Sequence, residues 1–240
     1  MNRPLADICG CLIAALCAAP AVADQIADVE KDLTAANQKL QSVSAKMKTV
    51  QNMDLGGGNS MKADYRGTFE WLRRADTVMY RIDLSGTTVQ NIGGQETTTE
   101  APTVMMSDGK FSYSLVEHAG QKVATKSKAG PTERGEIKYI FEAMRSGSTL
   151  KVLPDEKSAG YDCYVIECTA KGPEAAAMVR QVHYFAKDLG LDIKTIGYDP
   201  AGKVIFTTET FDIKKNAKID PDRFVFKAPP GVQVIDLSSQ

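Results

Sequence analysis

The chain has 240 residues, 29 basic and 30 acidic side chains, a net charge of −1 and 43% hydrophobic residues. No basic excess points to nucleic acid, and no polybasic stretch points to an anionic membrane surface. Such a length suits one domain, since β sandwiches and barrels run to about 200–250 residues undivided.

Arg3, the apolar run 8–19 and the small-x-small sequence Ala21-Val22-Ala23 read together as an export signal cut before Asp24. The run is about a dozen residues, short of the roughly 20 that a membrane anchor needs. Cys17 follows Ala14-Ala15-Leu16 and Cys11 lies too early, which argues against a lipid-modified cysteine. The expected domains are therefore a signal, 1–23, and a single unit, 24–240.

The spacing of Ile26, Val29, Leu33, Ala36, Leu40, Val43, Met47 and Val50 predicts one helix over 25–52, with its apolar stripe on a sheet of the same chain or on a second chain. Gly56-Gly-Gly58 is expected to end it and begin a flexible link. From 61 onward the period falls to two. Tyr65, Phe69 and Trp71 share one face of a strand, with Arg66, Thr68 and Glu70 opposite. In 77–84, Val78, Tyr80, Ile82 and Leu84 oppose Met79, Arg81 and Asp83, and 73–76 suits a hairpin turn. Ser107-Asp-Gly109 joins 103–106 to 111–115 in the strongest hairpin signal, and 122–126 is a further strand.

Thr132, Glu133 and Glu136 mark a cap and acidic first turn for a second helix, 131–146, whose apolar face is Ile137, Ile140, Phe141 and Met144. Strands follow at 161–169, 181–187, 192–198 and 203–213, the last three joined by hairpins. Residues 171–177 are either a short helical excursion or a loop. Residues 219–226 read as a turn and short strand, before an extended tail. The fold class is α+β, mainly β: an unclosed antiparallel barrel, a strongly curved sheet with helices covering its concave face.

Cys163 and Cys168 share one predicted strand. Five residues apart, they point to opposite faces at roughly 16 Å, beyond the about 7 Å that a disulfide allows. No bridge is expected, and a metal or redox site built on the pair fails on the same geometry. His118 and His183 have no second ligand at useful spacing, so neither is assigned a metal or catalytic role. No nucleophile elbow, Walker loop or dinucleotide fingerprint occurs. Asp220 and Asp222 flank Pro221, where a turn favours Asp for backbone reasons. The apolar inventory is richer. Phe69, Trp71, Met79, Met105, Phe111, Ile137, Phe141 and Met144 are the candidate lining of an apolar cavity between sheet and helix, the flexible thioethers suiting ligands of variable form.

The order of parts resembles the LolA-like family of periplasmic lipoprotein carriers and their relatives. The match runs from the signal and first helix through Tyr65-Arg-Gly-Thr-Phe69, Met79-Tyr-Arg-Ile-Asp83, Ser107-Asp-Gly109 and the hairpin at 198–203 to the ending 220–236. That resemblance implies a periplasmic, monomeric, non-enzymatic carrier without cofactor or metal. It would hold the acyl chains of lipoproteins, or another lipid, for transfer towards the outer membrane, and would meet partner proteins at the inner and outer membranes. It also implies that Arg81 holds the helical lid, a role suited to its five donors in a fixed fork. Asp76-Thr-Val-Met79 and the Thr-rich stretch 97–102 depart from the pattern. The alternative reading is an envelope sensor or assembly protein that recognises a protein partner through the same fold; a hydrolase with dispersed groups is the third.

Overall fold

The computed structural model describes residues 22–75, 77–100, 102–118, 121–130, 136–172 and 178–239. Residues 1–21 of the expected 1–23 signal, the cap residue Thr132 and most of the undecided 171–177 segment lie outside them.

Helix α1 (Val22–Lys39) carries Ile26, Val29 and Leu33 on its buried face. It ends eleven residues before Val50: the expected 25–52 helix stops at Lys39, and Ser42–Gly56 is strand β1. The reason is a coincidence of periods. Val43 and Met47 satisfy a helical i, i+4 step, yet with Ala45 they also alternate along a strand, where Val43 and Ala45 are buried. Partners on both sides decide it, because β1 pairs with β2 (Asn59–Arg74) and with β12 (Val204–Lys215). The three glycines form the tight β1–β2 turn, with positive φ at each.

Strand β3 (Thr77–Ile92) pairs along its whole length with β2. On its other side it pairs first with β5 (Thr103–Ser107) and then with β4 (Gln95–Glu100). The Asp-Gly hairpin joins β5 to β6 (Phe111–His118), which pairs with β7 (Gln121–Lys128). Helix α2 (Ile137–Gly147) starts after Glu136, whose backbone is extended and whose side chain makes no cap bond. Strands β8 (Ser148–Ser158), β9 (Tyr161–Ala170), β10 (Arg180–Ala186) and β11 (Leu191–Tyr198) return the sheet to β12. Of the turn and short strand expected at 219–226, the turn is present as one turn of 3-10 helix, Pro221–Phe224, and the strand is not; a three-residue β13 (Val234–Asp236) runs parallel to β7.

The sheet order is β13-β7-β6-β5-β3-β2-β1-β12-β11-β10-β9-β8, with β4 branching from β3. The path does not close, so the fold is the expected unclosed, curved antiparallel sheet. Close backbone approach helps set the curvature. Gly67 faces Leu84 and Gly86 faces Tyr65, and a Cβ at either would collide with a carbonyl oxygen of the neighbouring strand.

Three apolar clusters form the core. Leu40, Val43, Trp71, Val78, Cys163, Leu189 and Ile193 meet across the curl of the sheet. Ile26, Val29 and Leu33 of α1 and Ile137 and Phe141 of α2 pack on Ile166, Cys168 and Phe185 of β9 and β10. Met79, Met106 and Phe224 form the third, under the C-terminal segment. Cys163 and Cys168 are both free and both buried. They lie in different clusters, because β9 is covered on both faces.

Candidate functional site

The two helices are the elements expected to cover a ligand site. Phe141 is 0% and Ile137 2% exposed. The Phe141 ring lies 5.5 Å from that of Phe185, and Ile140 and Met144 pack at the margin. Polar contacts fasten this layer. Tyr164 donates its hydroxyl to Asp32 at 2.7 Å, Arg145 pairs with Glu30, and Asn37 donates to the Gly190 carbonyl at 3.0 Å. Gly190 adopts φ of +60°, and a side chain there would strike the backbone of α1.

The eight expected cavity residues do not come together. Ile137, Phe141 and Met144 belong to the helix layer, Phe69 and Trp71 to the cluster across the curl, and Met79 to the C-terminal cluster. Met105 and Phe111 are half-buried on β5 and β6, Phe111 beneath the ammonium group of Lys126 at 4.1 Å. Six of the eight thus fill three separate cores, and Met105 and Phe111 belong to none of them. A solvent-open cleft of about 650 Å³ lies elsewhere, lined by polar and charged groups including Lys46, Tyr161, Asp212 and Lys214.

Arg81 does not reach α2 in its recorded bonds. Its guanidinium grips Asp83 through two bonds of 2.7 Å and donates to the Arg223 carbonyl at 3.1 Å. Arg223 in turn donates to Glu70 at 2.9 Å and Asp83 at 3.2 Å. This network ties the 3-10 turn to β2 and β3, above Met79 and Met106, and the stacked rings of Tyr113 and Phe226, 4.8 Å apart, continue it. Arg73 fastens a helix instead. It donates to the Asn37 side chain at 2.7 Å and to the carbonyls of Asn37 and Leu40 at 3.3 Å, satisfying orphan groups at the end of α1.

Sequence reading left His183 isolated; the fold gives it partners. Register sets His183 opposite Thr195, and Asp192 follows the hairpin turn. The ring Nδ1 lies 2.7 Å from Asp192 Oδ2 and 3.2 Å from the Thr195 hydroxyl, which donates to the same carboxylate at 2.8 Å. Cys168 lies diagonally from His183 on the neighbouring strand β9. Burial alone would lower the imidazole pKa, but the Asp192 carboxylate and the Cys168 sulfur outweigh it and raise it to about 10. The signal available in sequence was the hairpin itself, since the Asp188-Leu-Gly190 turn puts 183 near 192–195. Among the described residues no group of three or more His, Cys, Asp or Glu side chains could hold a metal ion.

One exposed apolar patch stands out by position. Val116 pairs directly with Val123, and Thr125, two residues on, pairs with Ile235. Val116, Val123, Ile235 and Leu237 therefore share a face, and all four are exposed, Val123 at 46% and Ile235 at 47%. They form a ridge at the β13 end of the sheet.

No family model and no curated protein matches the chain. Solved structures do. The crystal structure of MucB is 14% identical over 88% of this chain and 66% of that one, with a TM-score of 0.50. The MucA/MucB complex of Pseudomonas aeruginosa is 12% identical over 85% and 61%, with a TM-score of 0.49. A putative outer membrane lipoprotein-sorting protein domain from Vibrio parahaemolyticus is 14% identical over 82% and 94%, at 0.34. The chain thus spans two thirds or less of the MucB chains it matches. At these identities the likeness to MucB establishes the fold, an unclosed, strongly curved antiparallel sheet, and no more. No helix among the described residues is long and apolar enough to cross a membrane.

Proposed function

We propose that this is a non-enzymatic binding protein of the cell envelope that recognises a protein partner along the β6–β7–β13 end of its sheet. The observation that carries the reading is the exposed ridge of Val116, Val123, Ile235 and Leu237 beside a terminal strand. Apolar side chains grouped in this way mark interaction surfaces. Among the described residues strand β13 has a sheet neighbour on one side only, so an extended segment of the partner can add to its outer edge and set apolar side chains on the ridge. The fold it shares with MucB, a protein crystallised with MucA, supports the reading.

A second reading follows from α1 and α2. Lifting them would uncover Ile166, Phe185 and the Phe141 pocket, an apolar surface fit for the acyl chains of a lipoprotein carried through the periplasm. The closed, filled layer makes this the lesser reading.

Photo-crosslinking separates the two. A photoreactive residue at Val123 should trap one discrete protein in cells, and the double change Val116→Lys, Ile235→Lys should abolish the product. A photoreactive residue at Met144 that traps lipoproteins, with nothing trapped from Val123, would transfer the assignment to the carrier.

A further inference from the structure

Strand β13 is seated lightly on β7. Its ladder sets Val234, Ile235 and Asp236 against Ala124, Thr125 and Lys126, in the parallel sense that is weaker per residue. The Leu237 amide donates to the Lys126 carbonyl at 2.7 Å, and Lys126 meets the half-exposed Asp236 carboxylate at 2.8 Å. Strand β7 runs over eight residues, Gln121–Lys128. Among the described residues no strand lies beside 121–123 or 127–128 on that edge.

The side chains of β7 divide by face. Val123 and Thr125 lie on the side of the ridge, while Lys122, Lys126 and Lys128 alternate onto the other. Lys122 lies 3.7 Å from Glu117, and Lys128 is exposed. A strand seated on this edge therefore needs apolar side chains on one face and carboxylates on the other. The chain's own Ile235-Asp236-Leu237 carries that pattern, with Ile235 on the ridge and Asp236 on Lys126.

We propose that β13 is a displaceable strand, and that the partner is an extended segment of alternating apolar and acidic residues which takes its place on β7. This rests on the reading that a protein binds the β6–β7–β13 end, and seats the segment on β7 itself rather than outside β13. An antiparallel segment pairs along the whole of β7, where β13 pairs at three residues, and brings carboxylates to Lys122 and Lys128 as well. Val116 and Val123 stay in the site, and Ile235 and Leu237 leave it with β13. Only molecules with β13 unseated bind, so the strand lowers the apparent affinity by its own occupancy.

The test uses the full chain and two short fluorescent peptides, one alternating valine and aspartate, the other valine and lysine. The aspartate peptide should bind and the lysine peptide should not. Lys122→Gln with Lys128→Gln should weaken the aspartate peptide about tenfold. Leu237→Pro removes the amide bonded to Lys126 without changing charge, and should tighten that peptide about fivefold. Thr125 and Ile235 are ladder partners, within reach of a disulfide, so oxidised Thr125→Cys, Ile235→Cys should lose the peptide and regain it on reduction. Failure of the aspartate peptide to bind, equal binding of the two peptides, unchanged affinity in Leu237→Pro, or binding that survives the oxidised lock overturns the proposal. Crosslinking from Val123 keeps the two claims apart. One protein trapped equally by the locked and wild-type chains removes the exchange and leaves the ridge reading; nothing trapped by either removes both.

Discussion

The Arg73 guanidinium donates to the side-chain oxygen of Asn37 across 2.7 Å, which joins the end of α1 to the last residues of β2. Two longer bonds from the same group to the carbonyls of Asn37 and Leu40 close the helix terminus. Arg73→Met keeps the stem and removes the donors. It should cost about 1.5–3 kcal/mol, the usual value for hydrogen bonds to a charged group. Urea unfolding measures the loss, and amide exchange should accelerate along Val22–Lys39 before the rest of the molecule.

Arg81 makes the opposite prediction from the one its resemblance implies. Its bonds run to Asp83 and the Arg223 carbonyl, so Arg81→Leu should loosen the Pro221–Phe224 turn. Faster exchange is expected at the Val225 amide, which is bonded to Asp222, with no change at the Ile140 amide, which opens α2. Acceleration at Ile140 alone would restore the lid role.

Phe141 tests whether the helix layer is filled. Its side chain is fully buried against Phe185. Phe141→Ala should therefore destabilise by about 3–5 kcal/mol, as fully packed aromatics do. Phe111→Ala, on a half-buried ring, should cost less. A loss under about 1 kcal/mol at Phe141 would mean a loose layer with room for a ligand.

His183 gives a pH dependence of defined sign. Its folded pKa, about 10, lies above the ordinary 6.5, so its stabilisation is complete below about pH 6.5 and is lost as pH rises through about 10. The groups facing the ring are Asp192, Thr195 and Cys168. Cys163, raised to about 11, also weakens the fold in alkali. The informative quantity is therefore the difference in unfolding free energy between wild type and His183→Gln. It should be greatest below pH 6.5 and shrink towards pH 10; a difference that stays constant with pH would contradict the assigned pair.

Strands with one buried face were legible because side chains alternate. Trp71, Val78 and the Asp-Gly turn at 108–109 announced β2, β3 and the β5–β6 hairpin, and Ile137, Phe141 and Met144 announced α2. Strand β1 was hidden by a stripe that fits both periods, with no Gly or Pro at Leu40-Gln41 to mark the break. Strands β4 and β8 were hidden for another reason. One is built on Thr97, Thr98 and Thr99, and the other carries Lys151, Pro154 and Lys157 along an outer edge, so neither needs an apolar pattern. Apolar type alone told which residues would be buried, not which would meet. Phe69, Phe111 and Phe141 are distributed over a curled sheet by pairings far apart in sequence. His183 was read as isolated because its partners come from register, not from local spacing.

Native mass spectrometry of the protein, purified gently from the cell envelope, tests the central claim most directly. The account predicts the bare chain or a complex with one protein, and no acylated species at near-stoichiometric amount. Co-purifying lipid or lipopeptide at one per chain would contradict it, and would show that the layer of α1 and α2 opens to hold a ligand.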